Sequence, residues 1–296
     1  MISVTCFGEI LWDNFPSYRR IGGAPLNVAL RMHSLGASVR MISRLGQDPD
    51  GEDILKYLQD QGLSTDLIQM DPEHKTGTVD VHLDETRTAT YTINKPAAWD
   101  EIELTAEMKM AVNASDVLIY GSLATRSQTS EETLKTLLKE ANYKVFDMNL
   151  RPPHFDMDRL VTLLMQADLV KLNDEELDEL AAHQNLQGTT TTEKIRSLSK
   201  KMPPRVTICV TMGPQGAQLF KEGEMYVNSG YQVKVADTVG AGDSFLAALC
   251  YQLLNKVAPQ EALDKACAMG SLVASKEGAI PSVSLEEIES MIKNKT

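Results

Sequence analysis

Asp243 ends the string DTVGAGD, residues 237–243, where Gly240 and Gly242 flank Ala241 and an apolar helical pattern, SFLAALCYQLL, follows. Glycines in the first turn of a helix leave backbone N–H groups uncovered, and the helix dipole adds partial positive charge there. Such a terminus can hold a phosphate or a developing oxyanion. A carboxylate beside it can take the proton of a hydroxyl whose oxygen attacks phosphorus. The same carboxylate could instead serve only the helix, as a first-turn acid worth about 0.3–1 kcal/mol. Other chemistry-bearing residues follow short apolar runs: Glu9 and Asp13, then Asn149 and Arg151, then NDEE at 173–176, then MGPQG at 212–216.

These residues need elements to bring them together. The apolar runs predict strands at 2–8, 38–46, 116–122, 143–149, 168–173 and 205–213. Between and after them, 3.6-residue periodicity predicts helices at 25–36, 51–62, 130–142, 158–167, 174–183, 241–255 and 259–276. Strands that alternate with helices make a parallel sheet covered on both faces, and ligands of such sheets bind at the carboxyl ends of the strands. The polar loops therefore converge on one edge. Residues 76–95 break the rhythm: Val79, Val81 and Leu83 alternate, a DET turn follows, and a Thr/Tyr-rich stretch returns. That pattern predicts a hairpin with one wet face. With ILWDNFPSYRRIG at 10–22 it would form a small sheet standing over the main one as a lid. TTTT at 189–192 reads as a polar loop.

A chain of 296 residues with 43% hydrophobic and 24% charged residues can build a sizeable core. Its formal net charge of −12 argues against a general nucleic-acid binder, which needs basic excess. An anionic substrate would have to be met by local devices such as backbone N–H groups, arginines or a metal ion. Cys6, Cys209, Cys250 and Cys267 form no CxxC pair, and MISVTCFGEILWD has neither the basic start nor the long apolar run of a signal peptide. No apolar stretch reaches membrane-spanning length, so the expected compartment is the reducing cytoplasm.

DTxGAGD is the hallmark of the ribokinase-like carbohydrate kinases of the PfkB family, and its six fixed positions should arise by chance in on the order of one in 10⁴ to 10⁵ chains of this length. GGAPLNVALRMHSLG at 22–36 resembles the family's N-terminal glycine-pair motif, NDEE its N-x-x-E motif, VTMGPQGA at 210–217 its nucleotide-side turn, and EGAIPSV at 277–283 its C-terminal element. The resemblance spans the chain in the right order. Within the family, GEILWD, GGAPLNVA and FDMNLR look most like bacterial fructokinases.

The resemblance implies an α/β fold: a ribokinase-like three-layer αβα domain over 1–296, with a mostly parallel sheet and a small β lid from about 10–22 and 76–99. It implies an ATP- and Mg²⁺-dependent sugar kinase, with fructose as acceptor. Alternatives are 2-keto-3-deoxygluconate, another sugar or a nucleoside as acceptor, or a sugar-binding regulator without catalysis. Asp243 would be the general base, and the N–H groups of Gly240, Ala241 and Gly242 the anion hole. Asp13, Gly23 and Asn27 would hold the sugar, with Arg151 near it or near the transferred phosphoryl group. Asn173 and Glu176 would act in the Mg²⁺ and phosphate network, Glu176 through water, while Thr211, Gly213 and Gly216 would line the nucleotide. Groups around Asp237, Val239, Lys276 and Gly278 match the K⁺ site of some members. Family members often pair through the lid, which implies a homodimer. Ile21 departs from the family's frequent proline before the glycine pair. The chain has no Gly-Lys phosphate loop, and neither the HRD nor the DFG string of protein kinases.

Overall fold

The computed structural model describes residues 1–83 and 89–295. Its strands are β1 (Ser3–Phe7), β2 (Leu11–Asn14), β3 (Arg19–Gly22), β4 (Ser38–Gly46), β5 (Ile68–Asp71), β6 (Gly77–Leu83), β7 (Ala89–Ile93), β8 (Val117–Gly121), β9 (Lys144–Asp147), β10 (Leu169–Asn173), β11 (Thr207–Thr211), β12 (Ala217–Lys221) and β13 (Glu224–Asn228). The large sheet has the order β13-β12-β11-β10-β9-β8-β1-β4-β5. It is parallel from β11 to β5, and β12 and β13 close one edge as an antiparallel hairpin.

Period-two alternation distributes the apolar side chains to two cores. Leu118, Tyr120, Phe146, Val170 and Leu172 face one layer, which holds the helices Ala106–Ala114, Gln128–Leu137, Met157–Leu164, Asp174–Gln184 and Thr191–Ser199. Val117, Ile119, Val145 and Leu169 face the other, with the helices Ala24–Ser34, Pro49–Asp60 and Ala241–Leu254. The helices Pro259–Ala274 and Leu285–Lys293 extend that second layer through Leu263, Met269 and Ile288. Each such side chain removed from water contributes about 1.5–3 kcal/mol. All four cysteines are buried and unpaired. No helix among the described residues is long and apolar enough to cross a membrane.

The expected strands and helices form within a few residues of their predicted limits. One reading is corrected: TTTT is not wholly a loop. Thr190 accepts the N–H of Glu193 on its hydroxyl at 3.2 Å, and Glu193 Oε2 accepts the N–H of Thr190 at 3.0 Å. This capping box starts the Thr191–Ser199 helix. Periodicity also left unread β5, the β12–β13 hairpin, and the helices at Ala106–Ala114 and Leu285–Lys293.

The second sheet has the order β3-β2-β6-β7 and is built from the two segments expected. The DET turn, residues 84–86, lies outside the described residues. Register puts Arg20 opposite Asp13, and Asp13 beside Val79. The other face carries Trp12, Asn14, Thr78 and Asp80; Asn14 donates to Asp80 at 3.0 Å, and Trp12 Nε1 donates to the Asp50 carbonyl at 3.2 Å. Trp99 is fully buried beneath Arg126, whose guanidinium lies 3.9 Å from the ring centre.

Candidate active site

The Ala241–Leu254 helix starts from Gly240 at φ 75, and a Cβ there would lie 2.3 Å from the Ala279 carbonyl oxygen, so only glycine fits. The first amides of a helix lack intrahelical acceptors. Ala241 N–H reaches back to Thr238 O at 3.3 Å, whereas the N–H groups of Gly240, Gly242 and Asp243 have no backbone acceptor among the described residues. Asp243 projects from this turn, and its Oδ2 accepts a 2.8 Å hydrogen bond from Asn27 Nδ2. Burial, then the like charge of Asp147, pushes its carboxyl up to about 6; Asn27, Lys171 and Arg151 hold it from going higher.

Asn27 is buried in the first turns of the Ala24–Ser34 helix. That helix starts at Gly23, φ 116, where a Cβ would lie 2.3 Å from the Glu9 carbonyl oxygen. A Cβ on Gly22 would meet Asp13 Oδ2 at 2.3 Å. The glycine pair thus lets the chain pass between the end of β1 and the carboxylate of Asp13. Burial pushes Asp13 up to about 6, against the pull of Arg151 and Arg20. Glu9, 3% exposed, is pushed up to about 7, chiefly by burial, and its Oε2 has no hydrogen-bond partner. Arg151 is the cation that Glu9, Asp13 and Asp243 have in common, and its charge pulls all three carboxyls down.

On the other flank, Asn173 Oδ1 accepts the N–H of Glu176 at 2.7 Å, and Glu176 Oε2 accepts that of Asn173 at 2.8 Å. Glu176 Oε1 takes the N–H of Leu150 at 2.7 Å, tying this helix start to the loop that carries Arg151. Glu176 is buried, and that burial holds its carboxyl above the ordinary glutamate value. Thr211 pairs with Asn173 across β11 and β10. Beyond it, Gly213 at φ 51 is open on all sides, whereas Gly216 at φ 84 is hemmed in by the Asn228 carbonyl. At the other end of DTVGAGD, the Asp237 carboxylate accepts from Arg20 at 2.7 Å, Val239 N at 3.0 Å and Gly278 N at 3.2 Å. These donors offset its burial and hold it below the ordinary aspartate value. A cavity of about 290 Å³ opens beside this contact, lined by Trp12, Arg20, Asn27, Gly278 and Ala279 among others.

Sequence reasoning missed two groups here. Lys171 Nζ lies 3.0 Å from Asp147 Oδ1, both residues buried. Arg20, given no role in the sequence reading, spans from the small sheet to Asp237. A lysine inside DLVKLN was the available signal for the first, since a strand buried on both faces has no free place for a charge. No local pattern signals the second.

Residues 18–286 match the pfkB family carbohydrate kinase, and the chain belongs to that family. Among curated relatives, the fructokinase of Klebsiella pneumoniae is 30% identical over 277 residues, covering 88% of this chain and 87% of that one. Among solved structures, fructokinase from Xylella fastidiosa with bound ATP has a TM-score of 0.84 at 25% identity, covering 98% of each chain. Fructokinase from Vibrio cholerae, bound to fructose, ADP and a calcium ion, has a TM-score of 0.83 at 26% identity and covers 99% of both. The fold is the ribokinase-like α/β arrangement, and the protein is a carbohydrate kinase.

Proposed function

We propose that the protein phosphorylates fructose with ATP. The observation that carries the chemistry is Asp243, held by Asn27 at the open first turn of a helix. A hydroxymethyl oxygen of the sugar attacks the γ-phosphorus. Its proton passes to the Asp243 carboxylate, the O–P bond to the sugar forms, the bond to the β-phosphate oxygen breaks, and ADP leaves. At neutral pH a carboxyl near 6 is mostly ionised, yet basic enough to accept that proton. The amides of Gly242 and Asp243 face the oxygens on which charge builds. Asp13, between Arg20 and Arg151, is the proposed anchor for sugar hydroxyls, and the strand end at Thr211 with Gly213 the nucleotide side. The small sheet is the proposed lid, excluding water from the reaction.

Mg²⁺ bound to ATP would neutralise phosphate charge. Among the described residues no three acids converge to hold a metal, so the ion would enter on the nucleotide and meet the protein through water. Glu176 would act through water, as both its oxygens already accept backbone N–H groups. The K⁺ assignment fits less well. Asp237 is already neutralised by Arg20, so a monovalent ion there would rest on main-chain carbonyls such as that of Val239. Tyr18 and Tyr91 are exposed on the small sheet and suit pairing through the lid; light scattering on a gel-filtered sample tests that dimer. The four buried thiols suit a reducing cytoplasm.

The deciding experiment couples ADP release to a panel of fructose, other hexoses, 2-keto-3-deoxygluconate and nucleosides. Fructose is expected to give the highest kcat/KM. Asp243→Asn should lower turnover by two or more orders of magnitude with the fold intact. Turnover near wild type in that variant would remove Asp243 from the mechanism, and sugar binding without ADP release would revive the non-catalytic reading.

A further inference from the structure

Lys171 stands near the carboxyl end of β10 on the same side as Leu169, in the layer that holds the Ala24–Ser34 and Ala241–Leu254 helices. Register aligns it with Asp147 on β9 and Cys209 on β11. It is 6% exposed and Asp147 4%. Burying two charges costs several kcal/mol for each ion, and an apolar pair of similar volume would often serve the core equally well. Asp147 uses one oxygen on the ammonium, and its Oδ2 is buried without a partner. An ammonium has three donors, and Asp147 takes one of them. A Cβ on Gly242 would lie 3.5 Å from Nζ, so the ammonium lies against the first turn of the Ala241–Leu254 helix with no side chain between. Burial alone would lower its pKa, but Asp147, Glu176 and Asp243 more than offset that, and it stays protonated at neutral pH.

We propose that Lys171 is a phosphate-binding residue of the transfer site: strand register brings its ammonium beneath the Gly242–Asp243 turn, where it completes the anion cradle from below. The chain has no Gly-Lys phosphate loop, and Lys171 supplies a cation to the phosphoryl oxygens from a different place in the fold. Asp147 positions that ammonium, and Gly242 keeps it uncovered. The ligand is the anionic phosphoryl group of a nucleotide, whose charge builds on the oxygens that the cradle faces.

The inference rests on the kinase reading, and the two fail separately. If wild-type protein releases no ADP with any sugar, the kinase reading fails. If wild type is active and Asp243→Asn is not, the reading stands and Lys171 is tested on its own. The main variant is Lys171→Met with Asp147→Asn, which removes both members of the ion pair together. It is expected to keep its melting temperature within a few degrees, to lose kcat a hundredfold or more, and to bind ADP at least tenfold more weakly while adenosine affinity holds. Lys171→Arg should recover part of the kcat. Gly242→Ala supplies an arm that does not disturb the pair. Gly242 has no positive φ, so alanine is expected to fold and favour the helix, yet its methyl stands over the ammonium. It should lose kcat at least tenfold. A stable double variant, or a stable Gly242→Ala, with kcat and ADP affinity within threefold of wild type would overturn the proposal.

Discussion

Asn27 and Asp243, 216 positions apart, meet through a 2.8 Å hydrogen bond from amide nitrogen to carboxylate oxygen. Each sits in the early turns of its helix, and these two helices pack on each other in the second layer of the fold. The amide favours the ionised carboxylate and fixes which oxygen is left free for a substrate proton. Asn27→Ala is therefore expected to lower kcat roughly tenfold to a hundredfold, less than Asp243→Asn. Steady-state kinetics beside a melting curve checks this. Loss of sugar affinity alone, with kcat unchanged, would show that Asn27 serves the sugar and not the base.

The pH profile follows from the same carboxyl. A base must be ionised, and burial puts Asp243 near 6. The expected kcat rises with pH through about 6 and levels off above 7. Asp13 is also pushed to about 6, and its ionised form is the better acceptor of sugar hydroxyls. Below pH 6, kcat/KM should consequently fall more steeply than kcat, because two groups take up protons in the free enzyme. A kcat flat from pH 5 to 8 would contradict the assignment of Asp243.

The parts of this site written in one short string were legible in the sequence. DTVGAGD and the glycine pair announce helix starts that leave backbone uncovered, and NDEE stands out as an N-x-x-E string whose reciprocal capping box only the structure shows. The parallel sheet was legible because buried strands read as apolar runs. What stayed hidden depends on register and long-range contact. Lys171 faces Asp147 only because β9 and β10 align, and Arg20 reaches Asp237 across 217 positions. TTTT misled because a capping box needs Glu193 as well as Thr190, and composition alone reads such a run as loop.

Glu9 gives a stability test separate from catalysis. Its carboxyl is at about 7 in the folded protein against 4.5 ordinarily, chiefly because it is buried. A folded-state pKa above the unfolded one means that the folded chain holds its proton longer. The stabilisation is full below about 4.5 and is lost as pH rises through 7. Glu9→Gln does not titrate. It should melt close to wild type near pH 4.5 and several degrees higher at pH 8, a difference of about 2–3 kcal/mol. A pH-independent difference between the two curves would show that Glu9 is not a buried acid of this kind.

Gly22 isolates the role of Asp13. Its φ is not in the left-handed region, so alanine there meets no backbone strain. The obstacle is local: an added Cβ would stand 2.3 Å from Asp13 Oδ2 and 3.6 Å from a Leu11 methyl. A carboxylate can swing away from a methyl group more readily than the sheet can part, so the substitution moves Asp13 and leaves β2 and β3 paired. Gly22→Ala is expected to keep the fold, to raise the sugar KM about tenfold or more, as losing a hydrogen bond to a charged group would, and to leave the affinity for ADP unchanged. Gly23→Ala is the contrast, because its φ of 116 and the Glu9 carbonyl at 2.3 Å oppose any side chain, and the helix start itself should be destabilised. Sugar titrations and melting curves on both variants separate the outcomes. An unchanged sugar KM in folded Gly22→Ala would remove Asp13 from the sugar site.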